Sequence, residues 1–273
     1  MGSNTIKEKV VLITGAGGGL GRDIAKALAE MGGRIIVADI NKKAAMQCAE
    51  ILNKAGLVAE AVVLDVSDRR SVIKCANTII KKYGRVDILV NNAGIVVGKS
   101  FLDSKDEENI STMEINAISN FWTVKAFLPG MIERGTGQIV TISSAAGLIG
   151  VPGLADYCAS KFAVYGFHEA VRKEVKKKGK KDIRFTIICP YYINTGMFEG
   201  VKKSPLSFLL PLLDQKRTVK KIVKAIVKRK RRLYMPPIVY VLPLLRVFPE
   251  LVFDFIATLF GVHNSMDTFK GKK

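Results

Sequence analysis

Tyr157 and Lys161 stand four positions apart in the run Tyr157-Cys158-Ala159-Ser160-Lys161, and Ser144 stands thirteen positions before the tyrosine. Residues four apart on a helix share a face, so the Lys161 ammonium can sit beneath the Tyr157 ring. A free phenol titrates at about pH 10, too high for an efficient base at neutral pH, and a nearby cation favours its anion. A tyrosine so placed can take a proton from a hydroxyl or return one. A serine at the end of the strand Ile139-Val-Thr-Ile-Ser-Ser144 can hold the oxygen that exchanges it. Tyr-x-x-x-Lys arises by chance in many helices, so the elements around it must decide. His168 and His263, the only histidines, are not placed for a nucleophilic triad and read as surface or packing residues.

Those elements alternate. Lys9 to Thr14 is a short apolar run of the kind buried on both faces of a parallel sheet. A glycine-rich turn follows and opens a helix through about Met31. Arg34 to Asp39 reads as a second strand, Asn41 to Ala55 as a helix, and Val58 to Leu64 as a third strand. Asp68 is a candidate cap for a helix reaching Tyr83. Val86 to Val90 is a strand, and Glu107 to Met131 is helical. The Ser144 strand and the Tyr157 helix come next, and Ile183 to Ile188 is the sixth strand. Six strands separated by helices predict an α/β fold, a doubly wound parallel sheet with right-handed crossovers.

Gly15, Gly19 and Gly21 lie directly between the first strand and its helix, the context a dinucleotide turn requires. Without side chains there, the backbone can turn tightly and approach a pyrophosphate that the helix N-terminus stabilises. Asp39 closes the second strand, where a carboxylate can accept from both adenosine ribose hydroxyls and repel a 2′-phosphate. That favours NAD over NADP, unless Asp39 turns away and Arg22 or Arg34 neutralises a phosphate. Asp65, at the end of the third strand, reads equally as an adenine contact or as a turn residue.

The chain has 273 residues, 48% of them apolar, enough for one large domain with a full core. The four cysteines, Cys48, Cys75, Cys158 and Cys189, form no metal or C-x-x-C spacing and read as reduced thiols. No signal-peptide pattern is expected before the first strand, and Ile6 stands where myristoylation at Gly2 would need Ser or Thr. Lysine and arginine number 43 against 24 acidic residues, a net charge of +19 that favours anionic partners. Nucleic-acid binding has only this charge to support it, and no recognisable module accompanies it.

After Thr195 the chain turns apolar and aromatic, with Met197, Phe198 and the run Pro205 to Leu213. This stretch, about 191–215, reads as a lid over the open end of the sheet, with Tyr191 and Tyr192 in its wall, suited to a long hydrophobic alcohol. Thr218 to Arg232 reads as an amphipathic helix, and Lys216 to Arg232 holds ten basic residues and no acidic one. A second basic run spans Arg172 to Arg184. Beyond it, Tyr234 to Val262 is strongly apolar but broken by prolines and charges, too short at any point to span a bilayer. Basic flanks with broken amphipathic segments predict insertion into one leaflet. Residues 1–235 are therefore expected to form the catalytic domain and 236–273 a hydrophobic extension.

Thr14-Gly15-x-x-x-Gly19-x-Gly21, Asn91-Asn92-Ala93-Gly94, Ser144, Tyr157-x-x-x-Lys161 and Pro190-x-x-x-x-Thr195 together resemble the short-chain dehydrogenase/reductase family over roughly residues 7 to 240. The resemblance implies a single Rossmann-type domain with helices on both faces of the sheet. It implies that Asn116 joins Ser144, Tyr157 and Lys161 in a catalytic tetrad. It also implies that Leu20, Val66, Asn92, Ala93, Gly94 and Pro190 border the cofactor, and that the backbone at Ile193 and Thr195 holds the nicotinamide carboxamide. Tyr157 would take the alcohol proton, Ser144 would hold the substrate oxygen, Lys161 would also bind the nicotinamide ribose, and Asn116 would hold a water. Phe121 to Pro129, Tyr191 to Phe198 and the Tyr-Met-Pro tail are similar to a membrane-associated subgroup of retinol and 17-beta-hydroxysteroid dehydrogenases. That likeness implies an NAD-dependent oxidation of retinol or a hydroxysteroid by a homodimer, cytosol-facing on the endoplasmic reticulum or a lipid droplet. Members usually carry an N-terminal hydrophobic anchor; either the sequence begins after it, or the C-terminal segments carry attachment alone. A non-catalytic lipid-droplet coat is the alternative of another class, and the complete Ser/Tyr/Lys set argues against it.

Overall fold

Seven parallel strands lie in the order β3-β2-β1-β4-β5-β6-β7, formed by β1 (Val10–Thr14), β2 (Arg34–Asp39), β3 (Ala59–Val63), β4 (Ile88–Asn91), β5 (Gly137–Ile142), β6 (Ile183–Pro190) and β7 (Arg232–Met235). The structure, a computed structural model, describes residues 6–202, 204 and 206–270. Gly2, and Lys203 and Pro205 of the expected lid, lie outside the described residues. Strand order reverses between β1 and β4, and this switch point opens a crevice at the carboxyl ends of the strands.

Alternation along each strand sends side chains to two separate cores. Val11 and Ile13 of β1 pack with Ile24 and Leu28 of α1 (Gly19–Ala29), Cys48 and Leu52 of α2 (Lys42–Lys54), and Ile222 and Ile226 further along. Val10 and Leu12 face the other way, toward Val72 and Ile79 of α3 (Arg69–Tyr83) and Phe127 and Met131 beyond it. The second face is completed by α4 (Asp106–Met113), α5 (Ser119–Arg134) and α6 (Ala155–Lys177). Asp68 caps α3 as expected, accepting from Arg70 N and Ser71 N. The four cysteines are free and buried.

The run expected to be helical through Arg232 divides. Helix α7 (Gln215–Val227) stops, the chain turns with Arg229 at φ 51, and Arg232–Met235 adds β7 to the edge of β6. The guanidinium of Arg229 stabilises this left-handed turn by donating to Asp182 O at 2.6 Å and Gly137 O at 3.3 Å. Short helices α8 (Leu242–Leu245) and α9 (Glu250–Leu259) then return over the carboxyl ends of the strands. Among the described residues no helix is long and apolar enough to cross a membrane.

The topology separates the two notable surfaces. Helices α6 and α7 both run toward the amino ends of the strands, so Lys176 to Arg184 and Lys228 to Arg232 meet at that edge. The apolar segments follow the carboxyl end of β7 and lie at the opposite edge. Basic runs flanking an apolar insertion, as the linear order suggests, are therefore not what the fold produces.

Candidate active site

The turn after β1 is built for close approach. Gly15 takes φ 63, and a Cβ there would lie 2.9 Å from Ala93 Cα. A Cβ on Gly21 would lie 2.3 Å from Gly15 O and 2.6 Å from Asn92 Nδ2, so the first turn of α1 can pack on the loop only as glycine. Asn92 ties this loop to the end of β4: its Nδ2 donates to Thr14 O at 2.9 Å and Gly15 O at 3.1 Å. The N–H groups of Asn92 and Ala93 both donate to Thr14 Oγ1 at 3.0 Å.

Asp39 accepts from Gly17 N through Oδ2 and from Asn41 N through Oδ1, each at 2.9 Å. Its carboxylate is thus held facing the glycine turn, with lone pairs left for a diol. Arg34 begins the same strand, about 16 Å away at 3.3 Å per residue, and its Nε donates to Glu8 Oε2 at 2.9 Å. Arg22 lies 3.7 Å from Asp23 and does not line the crevice. Neither arginine replaces Asp39. Asp65 accepts from both Ser67 N at 2.9 Å and Ser67 Oγ at 2.6 Å while lining the crevice, so its turn role and its place at the site coexist.

Every residue the sequence assigned to the cofactor borders this one crevice: Gly15, Gly19, Leu20, Gly21, Asp39, Asp65, Val66, Asn92, Ala93, Gly94, Tyr157, Lys161, Pro190, Ile193 and Thr195. Ser144 borders it too. Ile95, Ile115 and Ser143 also line it without a motif to mark them, and Met197 reaches it from the expected lid.

Tyr157 and Lys161 are both buried at the start of α6, with the ammonium 5.4 Å from the ring centroid. Lys161 Nζ donates to Ile142 O at 3.2 Å, and burial pushes its pKa down to about 8. Burial pushes the Tyr157 phenol up, and the Ser144 hydroxyl opposes that shift by hydrogen bonding. A lowered phenol was expected from Lys161; in the chain alone desolvation outweighs any such help, and Tyr157 is held neutral. Ser144 Oγ also accepts from Ala146 N at 3.1 Å.

Asn116 does not line the crevice. It lies in a widened π-type turn, Glu114–Ile118, between α4 and α5. Its Oδ1 accepts from Ile95 N at 2.8 Å, and its Nδ2 donates to Ile95 O at 2.9 Å and Ser160 Oγ at 3.1 Å. The amide is bound to the strand-end loop behind Gly94, where an added Cβ would meet Asn116 Oδ1 at 3.1 Å and Lys161 Nζ at 3.5 Å. Both N–H groups of Asn116 are therefore used by protein. His168 is a packing residue, as expected: it is buried, with Nδ1 2.9 Å from Thr141 Oγ1.

A second, apolar cavity of about 1040 Å³, counting space open to solvent, meets the crevice at Ser144, Tyr157, Tyr191 and Phe198. Tyr191, Tyr192, Phe198 and Leu210 come from the expected lid. Phe208 of that stretch instead points outward, 76% exposed. Ala146, Ile149, Val151 and Leu154, between β5 and α6, form another side, and the remainder comes from the C-terminal segment, including Ile238, Leu242, Phe253, Ile256, Ala257 and Phe260. Phe253, Ile256, Ala257 and Phe260 recur at i, i+3, i+4 and i+7, so one face of an amphipathic segment expected to meet lipid instead faces the cavity. On its outer face α9 exposes Leu251 (85%) and Phe255 (70%), with the exposed Glu250 and Asp254 among them.

A doubly wound sheet, a glycine turn at its switch point and a buried Tyr/Lys pair facing both a crevice and an apolar cavity define a dinucleotide-dependent oxidoreductase. Among the described residues no group of His, Cys, Asp and Glu is placed to hold a metal ion. Residues 9–205 match the family described as short chain dehydrogenase, and the chain belongs to that family. It is 45% identical to epidermal retinol dehydrogenase 2 of Homo sapiens over 267 residues, 97% of this chain and 86% of that protein. It is 37% identical to 17-beta-hydroxysteroid dehydrogenase 13 of Homo sapiens over 247 residues, 90% of this chain and 81% of that protein. Among solved structures, it resembles a short chain dehydrogenase/reductase from Burkholderia phymatum in complex with NAD, with TM-score 0.79 and 25% identity over 90% of this chain and 95% of that one.

Proposed function

We propose that this chain oxidises a lipophilic alcohol to its carbonyl with NAD, and that all-trans-retinol to retinal is the reaction. The observation that carries the proposal is the apolar cavity meeting the cofactor crevice at Tyr157 and Ser144. A hydroxysteroid is the second reading, favoured by the likeness to the 17-beta-hydroxysteroid dehydrogenase.

NAD supplies the hydride acceptor, held by the glycine turn, Asp39 and the backbone at Ile193 and Thr195. Ser144 Oγ hydrogen-bonds the substrate oxygen and Tyr157 Oη takes its proton. When bound, the oxidised cofactor would supply a positive charge that favours the Tyr157 phenolate, which burial alone disfavours. Lys161, whose Nζ is steadied by Ile142 O at the end of β5, would hold the nicotinamide ribose. Asn116 anchors the loop that carries Gly94 and Ile95, and with both side-chain N–H groups used a relay water would be held through an oxygen of Asn116.

The region 1–235 acts as the catalytic domain with a lid near 191–215, and 236–273 completes the substrate wall and docks on lipid. Docking uses the outer face of α9 with Leu244, Val247 and Phe208, an exposed apolar surface of the kind that marks an interface. Membrane or lipid-droplet attachment facing the cytosol follows, with substrate entering from the lipid. A homodimer is supported by a second apolar face, where Phe121 and Phe167 stack at 4.2 Å beside exposed Ile110 and Ile118.

Oxidation of retinoids, steroids and long-chain alcohols with NAD or NADP, in the presence of phospholipid, tests the proposal. Retinol with NAD should be the best pair, and Tyr157→Phe should bind NADH yet turn over below about 1% of wild type. No oxidation of any alcohol, or retained turnover in the variant, refutes it.

A further inference from the structure

The last described residues return to the active site. Lys202 N donates to Ser265 O at 2.9 Å, Lys270 N to Glu199 O at 2.9 Å, and Thr268 Oγ1 to Gly200 O at 2.6 Å. Lys202 Nζ pairs with Asp267 Oδ2 at 2.9 Å, and the hydroxyls of Tyr192 and Ser265 are 3.2 Å apart. Gly200 takes φ 84, and a Cβ on it would lie 2.2 Å from Thr268 O. The loop after Phe198 is thus laced to residues 265–270 along its length.

This lacing presses one ring onto the backbone of another loop. A Cβ on Gly98 would lie 2.1 Å from Phe269 Cε1, so Phe269 occupies the space above that glycine. Its centroid is 6.4 Å from that of Phe198, which in turn meets Tyr157 edge-on at 5.8 Å and Tyr192 at 4.9 Å. Phe198 lines both the cofactor crevice and the apolar cavity, whereas Phe269 lines neither. Phe269 stands behind the one aromatic ring, apart from the tyrosines, that divides the two spaces.

We propose that Phe269 is a positioning residue that sets substrate specificity: residues 265–270 form a strap that holds Phe198 against Tyr157. This rests on the alcohol-oxidation reading above. With the strap in place, the wall beside Tyr157 is fixed and a bulky ring-bearing alcohol is aligned by contact. With it loosened, Phe198 moves toward Gly98 and the bulky alcohol loses its wall, while a slender one, which depends less on that contact, is little affected.

The test uses the full chain and the variants Phe269→Ala, Phe269→Leu and Asp267→Lys. The last sets like charges opposite Lys202 at the surface, so it loosens the strap without opening the core. For Phe269→Ala and Asp267→Lys, the ratio of kcat/KM for retinol to that for 1-octanol should fall about tenfold, mainly through KM for retinol. NADH affinity should stay within about twofold, and Phe269→Leu should restore the ratio to within about threefold. A ratio unchanged in both loosened variants, or a parallel loss of NADH binding in both, overturns the proposal. If the wild type oxidises no alcohol, the functional reading fails, and the strap is judged by retinol fluorescence on binding. Affinity about tenfold weaker in the two loosened variants then supports the strap; equal binding, or none by any protein, overturns it.

Discussion

Replacing Asp39 with Asn is the sharpest probe of cofactor choice, because the structure fixes what the carboxylate does before any cofactor arrives. Both oxygens already accept a backbone N–H at 2.9 Å, from Gly17 and Asn41. The glycine turn lies close against this carboxylate, since a Cβ added at Gly17 would lie 2.9 Å from Asp39 Oδ2. An amide has one acceptor oxygen, so Asp39→Asn keeps one of these bonds and sets an N–H against the other donor. At this partly exposed site the cost is about 1 kcal/mol, a fall in Tm of about 2–4 °C. Toward the cofactor, one charge-assisted bond to the ribose diol is lost and the other weakened, about 2 kcal/mol or thirtyfold in NADH affinity. Removing the like charge facing a 2′-phosphate gains about 1 kcal/mol for NADPH. The NADH-to-NADPH affinity ratio should therefore fall by about two orders of magnitude. Fluorescence titration of both reduced cofactors reads this directly, with thermal melting as the separate check on folding. A wild type that prefers NADPH, or a ratio that moves less than about threefold in the variant, refutes the role given to Asp39.

Two further predictions follow from burial and exposure. Burial first, and then Arg172, push His168 down to about pKa 3, so the folded chain keeps it neutral while the unfolded chain protonates it at about pH 6.5. Stability is thus lost as pH falls from about 6.5 toward 3, by up to about 1.4 kcal/mol per pH unit; His168→Phe should flatten that slope in urea unfolding, and an unchanged slope would contradict the assignment. On α9, Leu251→Glu with Phe255→Glu should weaken binding to neutral phosphatidylcholine vesicles in sedimentation by at least about a hundredfold, at about 1.5–3 kcal/mol for each buried side chain. Oxidation of a short water-soluble alcohol should not change, and equal vesicle binding would rule out the apolar edge as the docking surface.

What could be read directly from the chain was local. Gly15 to Gly21 and the Tyr157/Lys161 pair are each set by near neighbours in sequence, and the alternation of strands and helices, with the family resemblance, brings them and Asp39 to one crevice. The unread parts depend on contacts between distant segments. Strand β7 is too short to announce itself beside a lysine-rich helix, and it exists because β6 offers an open edge. Helix α9 carries apolar residues on both faces, and its hydropathy by itself does not distinguish a wall from a membrane surface. The basic runs look like flanks of the apolar tail in linear order, but parallel strands and return helices carry them to the other end of the sheet. Asn116 is visible only through family likeness, since a lone asparagine in a helix carries no spacing signal. Its tie to Ile95 requires the π-type turn to be seen.

The strap from Ser265 to Lys270 also bears on the order in which the molecule is made. Phe269 rests on Gly98, 171 positions earlier, so this contact closes a loop that includes β5, β6 and β7. Contacts of such long separation form late, after the strands they span. During synthesis at about 5–20 residues per second, the cofactor crevice can be complete several seconds before the substrate wall. A nascent or C-terminally clipped chain would then hold NAD beside an unwalled tyrosine. Such a chain has a reactive centre without selectivity, and it leaves the apolar lining of its own cavity open to chaperones and proteases.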